Sequence, residues 1–184
     1  NPQLSSRRLE GRVELDDWQD GIYRELKNAG VRQVAYVPDA GHRSLIDACR
    51  ADGDMAAIPL TTEMEGPAVL AGAWLGGEKG VLLMQSSGVG NCPNMIATAV
   101  TCRFPLLMLV TMRGEHGEFN PWQLPMGGAA GPMLEQMGTR VFRAETPGSV
   151  AETVRAAAGI AFEGLMPVAV LLAQKLIGTK TFGK

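Results

Sequence analysis

The 184 residues carry a formal net charge of −2 and are 46% hydrophobic, values typical of an ordinary soluble, globular protein. The small charge, spread along the chain, excludes the basic footprint expected of a protein that binds nucleic acid or an anionic membrane. No apolar run has the roughly 18 to 20 residues that span a bilayer. Because the first residues also carry no signal-peptide pattern, a cytoplasmic location is predicted.

Residues 1–13 are predicted to form an N-terminal arm, either loose or part of an interface, and residues 14–184 a single domain. The first predicted helix covers residues 15–28, where Trp18 and Ile22 begin a series of apolar positions at helical spacing. Gly30 follows as a stop signal.

Apolar segments of strand length then alternate with helical segments. The predicted strands cover residues 31–37, 56–60, 80–85, 105–112, 140–144 and 167–173. The predicted helices cover residues 44–49, 65–75, 93–102 and 149–162, with Ser44 and Ser149 as N-caps. Continuous apolar strands separated by helices indicate a doubly wound α/β fold with a mostly parallel, six-stranded sheet and helices on both faces. Ligands in such folds bind beyond the carboxyl ends of the strands.

One segment has neither strand nor helix periodicity. Residues 113–132 read RGEHGEFNPWQLPMGGAAGP and are predicted to be irregular. An irregular stretch of this length inside a domain is usually functional or disordered. Because it follows a strand, we interpret it as a lid or subunit-contact loop, with a plain surface excursion as the alternative.

Cys49, Cys92 and Cys102 form neither a CxxC pair nor an even set. They are therefore interpreted as reduced thiols. A role as small core residues is favoured over that of a reactive thiol.

Polar residues concentrate at three strand-to-helix junctions, which should open on the same edge of the sheet. The junctions are residues 37–44 (VPDAGHRS), 61–66 (TTEMEG) and 85–94 (QSSGVGNCPN). The glycine-rich turn at 87–91 has the composition to present backbone N–H groups to an anion, although glycine in a tight turn needs no ligand. The GxGxxG pattern is not met, which demotes a dinucleotide site.

These junctions carry a family resemblance. Residues 58–91, IPLTTEMEGPAVLAGAWLGGEKGVLLMQSSGVGN, resemble the pyrimidine-binding domain of thiamine-diphosphate enzymes, and among them the α subunits of sulfopyruvate and phosphonopyruvate decarboxylases. VPDAG at 37–41, RGEHGE at 113–118 and QLPMG at 123–127 are further matches. Together they cover most of the chain from about Trp18 onward.

The resemblance implies that a glutamate hydrogen-bonds a ring nitrogen of the cofactor's aminopyrimidine and favours the tautomer that generates the ylide. Two glutamates, Glu63 and Glu65, lie close enough together that only one can point at the cofactor. Glu63 is the favoured residue and Glu65 the reserve. Without the resemblance, both are first-turn acids favoured by the helix dipole.

The remaining cofactor and substrate contacts are expected at the same edge. Residues expected to contact the cofactor are Gln85, Ser87, Gly88 and Asn91. Residues expected to contact the substrate are Asp39, His42, Arg43, Arg113 and Gln123. Arginine suits a sulfonate or phosphonate because its planar fork offers fixed charge and several donors; ion pairs of these arginines with Asp39, Glu115 or Glu118 are the alternative.

Histidine titrates near neutral pH, so His116, in the irregular segment, is a candidate for proton transfer to a carbanion-like intermediate. A solvated loop histidine is the alternative interpretation. His42 is the second candidate, although histidine at that position is not part of the family pattern.

A missing motif defines the expected partner. In the family, a second domain carries a GDG motif that holds magnesium and the cofactor's diphosphate. This sequence has only Asp52, Gly53 and Asp54, in the inverted order. The resemblance therefore implies a hetero-oligomer with a β subunit that carries the GDG motif, and no metal ligands on this chain.

The predicted function is that of one subunit of a carbon-carbon lyase that converts 3-sulfopyruvate to sulfoacetaldehyde and CO2 with thiamine diphosphate and Mg²⁺. Phosphonopyruvate decarboxylation to phosphonoacetaldehyde is the alternative; the phosphonate bears about one more negative charge near neutral pH. A hypothesis of another class is a non-catalytic binding module with the same fold.

Overall fold

A computed structural model of the protein describes residues 17–178. The predicted arm, residues 1–13, lies outside the described residues. Six strands form one sheet in the order β2-β1-β3-β4-β6-β5. The strands are β1 (Val31–Tyr36), β2 (Ala56–Pro59), β3 (Lys79–Gln85), β4 (Leu106–Thr111), β5 (Arg140–Ala144) and β6 (Pro167–Leu172). Every pair is parallel, which confirms the predicted sheet.

Helices cover both faces of this sheet. They are α1 (Asp17–Asn28), α2 (Arg43–Ala51), α3 (Glu65–Leu75), α4 (Ser86–Val89), α5 (Pro93–Cys102), α6 (Leu124–Gln136), α7 (Pro147–Gly164) and α8 (Gln174–Ile177), with a 3-10 turn at Pro121–Gln123. Side chains alternate between the faces along each strand. In β3, Val81 and Leu83 pack with α1, α2 and α7, whereas Leu82 and Met84 pack with α3, α5 and α6.

The prediction of an irregular segment through residue 132 is wrong in its second half, because α6 begins at Leu124. Glycine and proline hide the helix in the sequence. Proline in the first turn of a helix is tolerated. Gly127 is required where α6 crosses the preceding loop, because a Cβ there would overlap the backbone carbonyl of Gly114.

The two predicted serine caps are also wrong. Helix α2 begins at Arg43 with His42 as its N-cap residue, which makes no side-chain cap bond. Helix α7 begins at Pro147, and Thr146 forms a capping box in which Ser149 is the third helical residue. Serine can serve inside the first turn as well as at the cap, so the sequence placed each helix start slightly too late.

Candidate active site

Glu63 lies in the turn between β2 and α3, at the carboxyl edge of the sheet. Its side chain is half-buried, and its Oε2 accepts a hydrogen bond of 2.8 Å from Asn91 Nδ2. Gly88, just after β3, passes so close that a Cβ there would overlap the Glu63 carboxyl group. Glu63 Oε1 accepts no hydrogen bond from residues 17–178, so one carboxyl oxygen is available to a ligand.

Glu65 has a different role in the same turn. Its carboxylate accepts hydrogen bonds from the backbone N–H of Thr61, at 3.0 Å, and from the Thr61 hydroxyl. These hydrogen bonds lower the pKa of Glu65. Its side chain therefore closes the turn before α3, and Glu63 is the glutamate whose carboxyl group is left for another partner.

A hydrogen-bonded network joins the ends of β1, β3 and β4. Asp39 Oδ1 accepts from Gln85 Nε2 at 2.8 Å. Asp39 Oδ2 accepts from Thr111 Oγ1 at 2.7 Å and from the Gly41 backbone N–H at 3.0 Å. Burial works to raise the pKa of Asp39, but the proximity of His42 and these three donors outweigh it, so the pKa lies below its ordinary value.

The same network reaches the third junction and the start of α6. Gln85 Oε1 accepts a hydrogen bond of 3.0 Å from Ser87 Oγ and another of 3.0 Å from Gln123 Nε2. Gln123 is only 5% exposed. The prediction that the junctions open on one edge is thus confirmed by direct contacts: Asp39 with Gln85, and Glu63 with Asn91.

His42 is fully buried beneath this network. Its Nε2 lies 3.1 Å from the carbonyl oxygen of Leu109, and burial lowers its pKa. The ring is therefore neutral at physiological pH, with Nε2 donating to the carbonyl and Nδ1 unprotonated. Nδ1 has no hydrogen-bond partner within residues 17–178. The structure places His42 in the core rather than on the surface of the site.

Arg113 is already occupied by Glu118. Its Nε donates to Glu118 Oε2 at 2.6 Å and its Nη2 to Glu118 Oε1 at 2.7 Å. The Glu118 side chain has no solvent exposure and that of Arg113 only 11%. The bidentate pair, together with other donors, holds the pKa of Glu118 far below its usual range. The ion-pair alternative for Arg113 is the arrangement that the structure shows.

Arg43 and His116 lie in separate places. Arg43 is exposed and lines a cavity of about 380 Å³ that also includes Asp39. His116 is exposed and lines a different cavity of about 440 Å³ with Arg143 and Lys175. The structure therefore brings Arg43 near the network, whereas His116 sits beside the ends of β5 and β6.

Two buried polar residues at this edge of the sheet, Thr111 in the Asp39 network and Gln174 beside Glu118, were not predicted from the sequence. Thr111 is 1% exposed and donates to Asp39. Gln174, 3% exposed, donates to Glu118 and accepts from the backbone N–H of Glu115. The available signal was positional: Thr111 is the last residue of the otherwise apolar β4, and Gln174 lies two residues after the end of β6, where the edge of a parallel sheet begins.

Within residues 17–178, no group of three or more His, Cys, Asp or Glu side chains is arranged to hold a metal ion. None of the helices in that part of the chain is both long and apolar enough to cross a membrane.

Comparison with known proteins identifies the architecture. Residues 17–136 match the family described as thiamine pyrophosphate enzyme, N-terminal TPP binding domain. The sulfopyruvate decarboxylase subunit alpha of Methanococcus maripaludis is 34% identical over 83% of this chain and 92% of its own length. A phosphonopyruvate decarboxylase of Streptomyces viridochromogenes is 37% identical over 60% of this chain, but only 28% of its own length.

A solved structure shows the same fold. The 2-oxoglutarate:ferredoxin oxidoreductase of Magnetococcus marinus superposes with a TM-score of 0.69 over 87% of this chain and 29% of its own, at 14% sequence identity. The fold, the family match and the archaeal relative agree with the resemblance of the junction motifs. The chain belongs to the thiamine pyrophosphate enzymes, as an N-terminal TPP binding domain of the sulfopyruvate decarboxylase alpha-subunit type.

Proposed function

We propose that this chain is the subunit of a 3-sulfopyruvate decarboxylase that activates the cofactor, and that a second subunit completes the site. The observation that carries the proposal is the Glu63 carboxyl group, held by Asn91 and packed against Gly88 with one oxygen left without a donor. The sulfopyruvate decarboxylase subunit alpha of Methanococcus maripaludis aligns with this chain over 92% of its own length. This match supports sulfopyruvate over phosphonopyruvate as the substrate.

The residues present suit the pyrimidine end of thiamine diphosphate. When bound, the cofactor would supply a nucleophilic ylide carbon that bonds to the keto carbon of the 2-oxo acid and a thiazolium ring that takes up the electron pair released as CO2 leaves. Glu63 would hold a ring nitrogen of the aminopyrimidine by sharing a proton with it through Oε1. Gly88 carries no side chain and so leaves the room that the Glu63 carboxyl group occupies.

The diphosphate needs hydrogen-bond donors, and Mg²⁺ needs oxygen ligands. A β subunit with a GDG motif is proposed to supply them. Exposed apolar side chains support a partner on this edge: Met64 is 48% exposed beside Glu63, and Trp122 and Leu124, which flank Gln123, are 68% and 48% exposed. Large apolar side chains grouped on an exposed surface are typical of a site where another protein binds.

The substrate's tetrahedral anion also needs positive charge. Arg113 is neutralised by Glu118, so Arg43, which shares a cavity with Asp39, is the proposed contact on this chain. Cations of the partner would provide the rest. His116 is retained as a proton-transfer candidate only if the partner's docking brings substrate to the cavity that His116 lines. A cytoplasmic location is proposed to accompany this metabolic role.

The test is reconstitution. The chain is co-expressed with a GDG-containing subunit and assayed for CO2 release from 3-sulfopyruvate and from phosphonopyruvate with thiamine diphosphate and Mg²⁺, beside each subunit alone. We expect turnover of sulfopyruvate in the complex only. A complex that forms but binds no cofactor would overturn the proposal, and preference for phosphonopyruvate would reassign the substrate.

A further inference from the structure

The network at the carboxyl edge has a direction, because each of its hydrogen bonds has a defined donor. Asp39 is ionised, since its pKa lies below the ordinary value, and a carboxylate only accepts. Its three partners must therefore all donate. Thr111 and the Gly41 backbone N–H do so at Oδ2, and Gln85 at Oδ1.

The direction passes from Asp39 through the Gln85 side chain. Gln85 uses its NH2 group on Asp39, so its carbonyl oxygen faces the other way. That oxygen accepts from Ser87 Oγ and from Gln123 Nε2, each at 3.0 Å. An amide with the opposite orientation would place two acceptors, Gln85 Oε1 and the Asp39 carboxylate, against each other.

The network ends at Ser87 and Gln123, and each of these side chains keeps an oxygen that can accept a further hydrogen bond. Ser87 has one hydroxyl proton and donates it to Gln85, so only its lone pairs remain for other partners. Gln123 donates through Nε2, and its Oε1 is buried with no donor within residues 17–178. A buried acceptor without a donor is costly and therefore points to a partner that binding supplies.

We propose that Asp39 is a positioning residue that holds Ser87 Oγ and Gln123 Oε1 as hydrogen-bond acceptors, so that this wall of the site receives N–H or O–H donors of the bound cofactor or of the completed complex. The inference rests on the proposed function and deepens it. A wall that presents the Glu63 carboxylate together with these acceptors is unsuited to an anion. The sulfonate of the substrate therefore binds away from Ser87 and Gln123.

The hydrogen-bond partners of Asp39 determine how the network rearranges when this residue is substituted. In Asp39→Asn, the Gly41 backbone N–H can only donate, so it keeps the asparagine oxygen at the Oδ2 position. The asparagine NH2 group then faces Gln85, which must turn its oxygen toward residue 39. Its NH2 group now donates to Ser87 and Gln123, and both ends of the network change from acceptors to donors.

A second substitution restores the original direction. In Asp39→Asn combined with Gln85→Glu, the asparagine NH2 group donates to one oxygen of the introduced glutamate, and the other oxygen accepts from Ser87 and Gln123 as in the wild type. The pair of changes keeps one carboxylate in the network and the same net charge. Asp47→Asn is the control for loss of a carboxylate, because Asp47 lines the cavity beside Asp39 without joining the network.

The experiment measures the dissociation constant of thiamine diphosphate for the complex with each variant. Asp39→Asn is expected to weaken binding by about tenfold or more, the cost of leaving buried groups wrongly paired. The double variant should recover to within about threefold of the wild type, and Asp47→Asn should bind as the wild type does. A double variant no better than Asp39→Asn, or an Asp39→Asn complex with unchanged affinity, overturns the proposal.

A second readout separates this inference from the proposed function. Proton NMR of the complex labelled with 15N in its glutamine and asparagine side chains should show a downfield Gln85 amide proton, donated to the Asp39 carboxylate. That signal should be lost in Asp39→Asn and be replaced in the double variant by one from the introduced asparagine. Failure of the wild-type complex to bind thiamine diphosphate sinks the proposed function, whereas absence of this pattern sinks the network's direction.

Discussion

Two stretches of the carboxyl edge of the sheet differ in whether their charged and polar side chains are paired within the chain. At the ends of β5 and β6, Arg143 pairs with Glu115 and Glu145, and Lys175 pairs with Glu145. In the turn after β2 and beside the end of β3, Glu63 Oε1 and Gln123 Oε1 have no donor within residues 17–178. Charges that are compensated inside the chain hold its loops in place, whereas the uncompensated acceptors lie where the proposed cofactor and partner subunit would complete the bonding.

The first prediction tests the compensated stretch at its most buried group. Glu118 accepts from Arg113, Gln174 and the backbone N–H groups of Gly114 and Asn120. Glu118→Gln puts an NH2 group among these donors, so we expect a loss of about 3–5 kcal/mol in unfolding free energy. Urea unfolding, monitored by circular dichroism, measures it.

The matched control is Glu145→Gln, which removes an exposed carboxylate from two ion pairs. Because exposed pairs contribute little, its urea midpoint should stay close to that of the wild type. Equal urea midpoints for the two variants would show that the buried Glu118 contributes no more to stability than the exposed Glu145.

The second prediction tests the uncompensated stretch with one methyl group. Gly88→Ala places a Cβ on the Glu63 carboxyl group, so Glu63 must move. We expect decarboxylation by the complex to fall about 100-fold, as expected when a group that aids proton transfer is displaced, while the chain remains folded.

Gly159→Ala is the control for this methyl group. Gly159 lies inside α7 with open space around its Cβ position, so alanine should leave activity unchanged and stabilise the helix by about 0.5–1 kcal/mol. A Gly88→Ala enzyme with full activity would show that Glu63 need not occupy its observed position.

The third prediction follows from the depressed pKa values of Glu118 and Asp39. A carboxyl group with a lowered folded-state pKa contributes stability that is complete above its unfolded pKa, near 4, and is lost as the pH falls toward the folded value. The melting temperature should therefore decrease from about pH 5 downward. Glu118→Gln should flatten this decrease, and a slope identical to that of the wild type would contradict the assignment.

The smallest effect is expected from thiol labelling. Burial raises the pKa of Cys49 and of Cys92 to about 12, whereas Cys102 is exposed. Because the thiolate is the reactive form, iodoacetamide at pH 8 should modify Cys102 alone in the folded protein. Mass spectrometry of tryptic peptides identifies the labelled cysteines. Rapid labelling of Cys92 would show that the buried surroundings of this thiol open to solvent.

The sequence predicted the sheet and the site's edge because both follow from local patterns. Apolar strands alternate with helices, and polar junctions such as TTEMEG follow the strands. It could not distinguish Glu63 from Glu65, because that difference depends on the Thr61 contacts of one and the Gly88 contact of the other. It also missed α6, since glycine at 127 is explained only by the tertiary contact with Gly114.

The pairing of Arg113 with Glu118 was open for the same reason. Arginine beside a strand end is equally consistent with an anion site and with an ion pair, and the buried, five-donor environment of Glu118 decides for the pair. Residues that act through neighbours distant in sequence, such as Thr111 with Asp39, require the fold before their partners are known.

The most direct test of the account compares the two glutamates of one turn. The turnover of 3-sulfopyruvate by the complex is measured for Glu63→Gln and Glu65→Gln at saturating thiamine diphosphate and Mg²⁺. We expect kcat to fall by about 10² to 10⁴-fold for Glu63→Gln. Glu65→Gln should retain its kcat, because this substitution weakens only the hydrogen bonds that stabilise the turn. Retained activity in Glu63→Gln, or an equal loss in Glu65→Gln, would contradict the assignment of Glu63 as the residue that activates the cofactor.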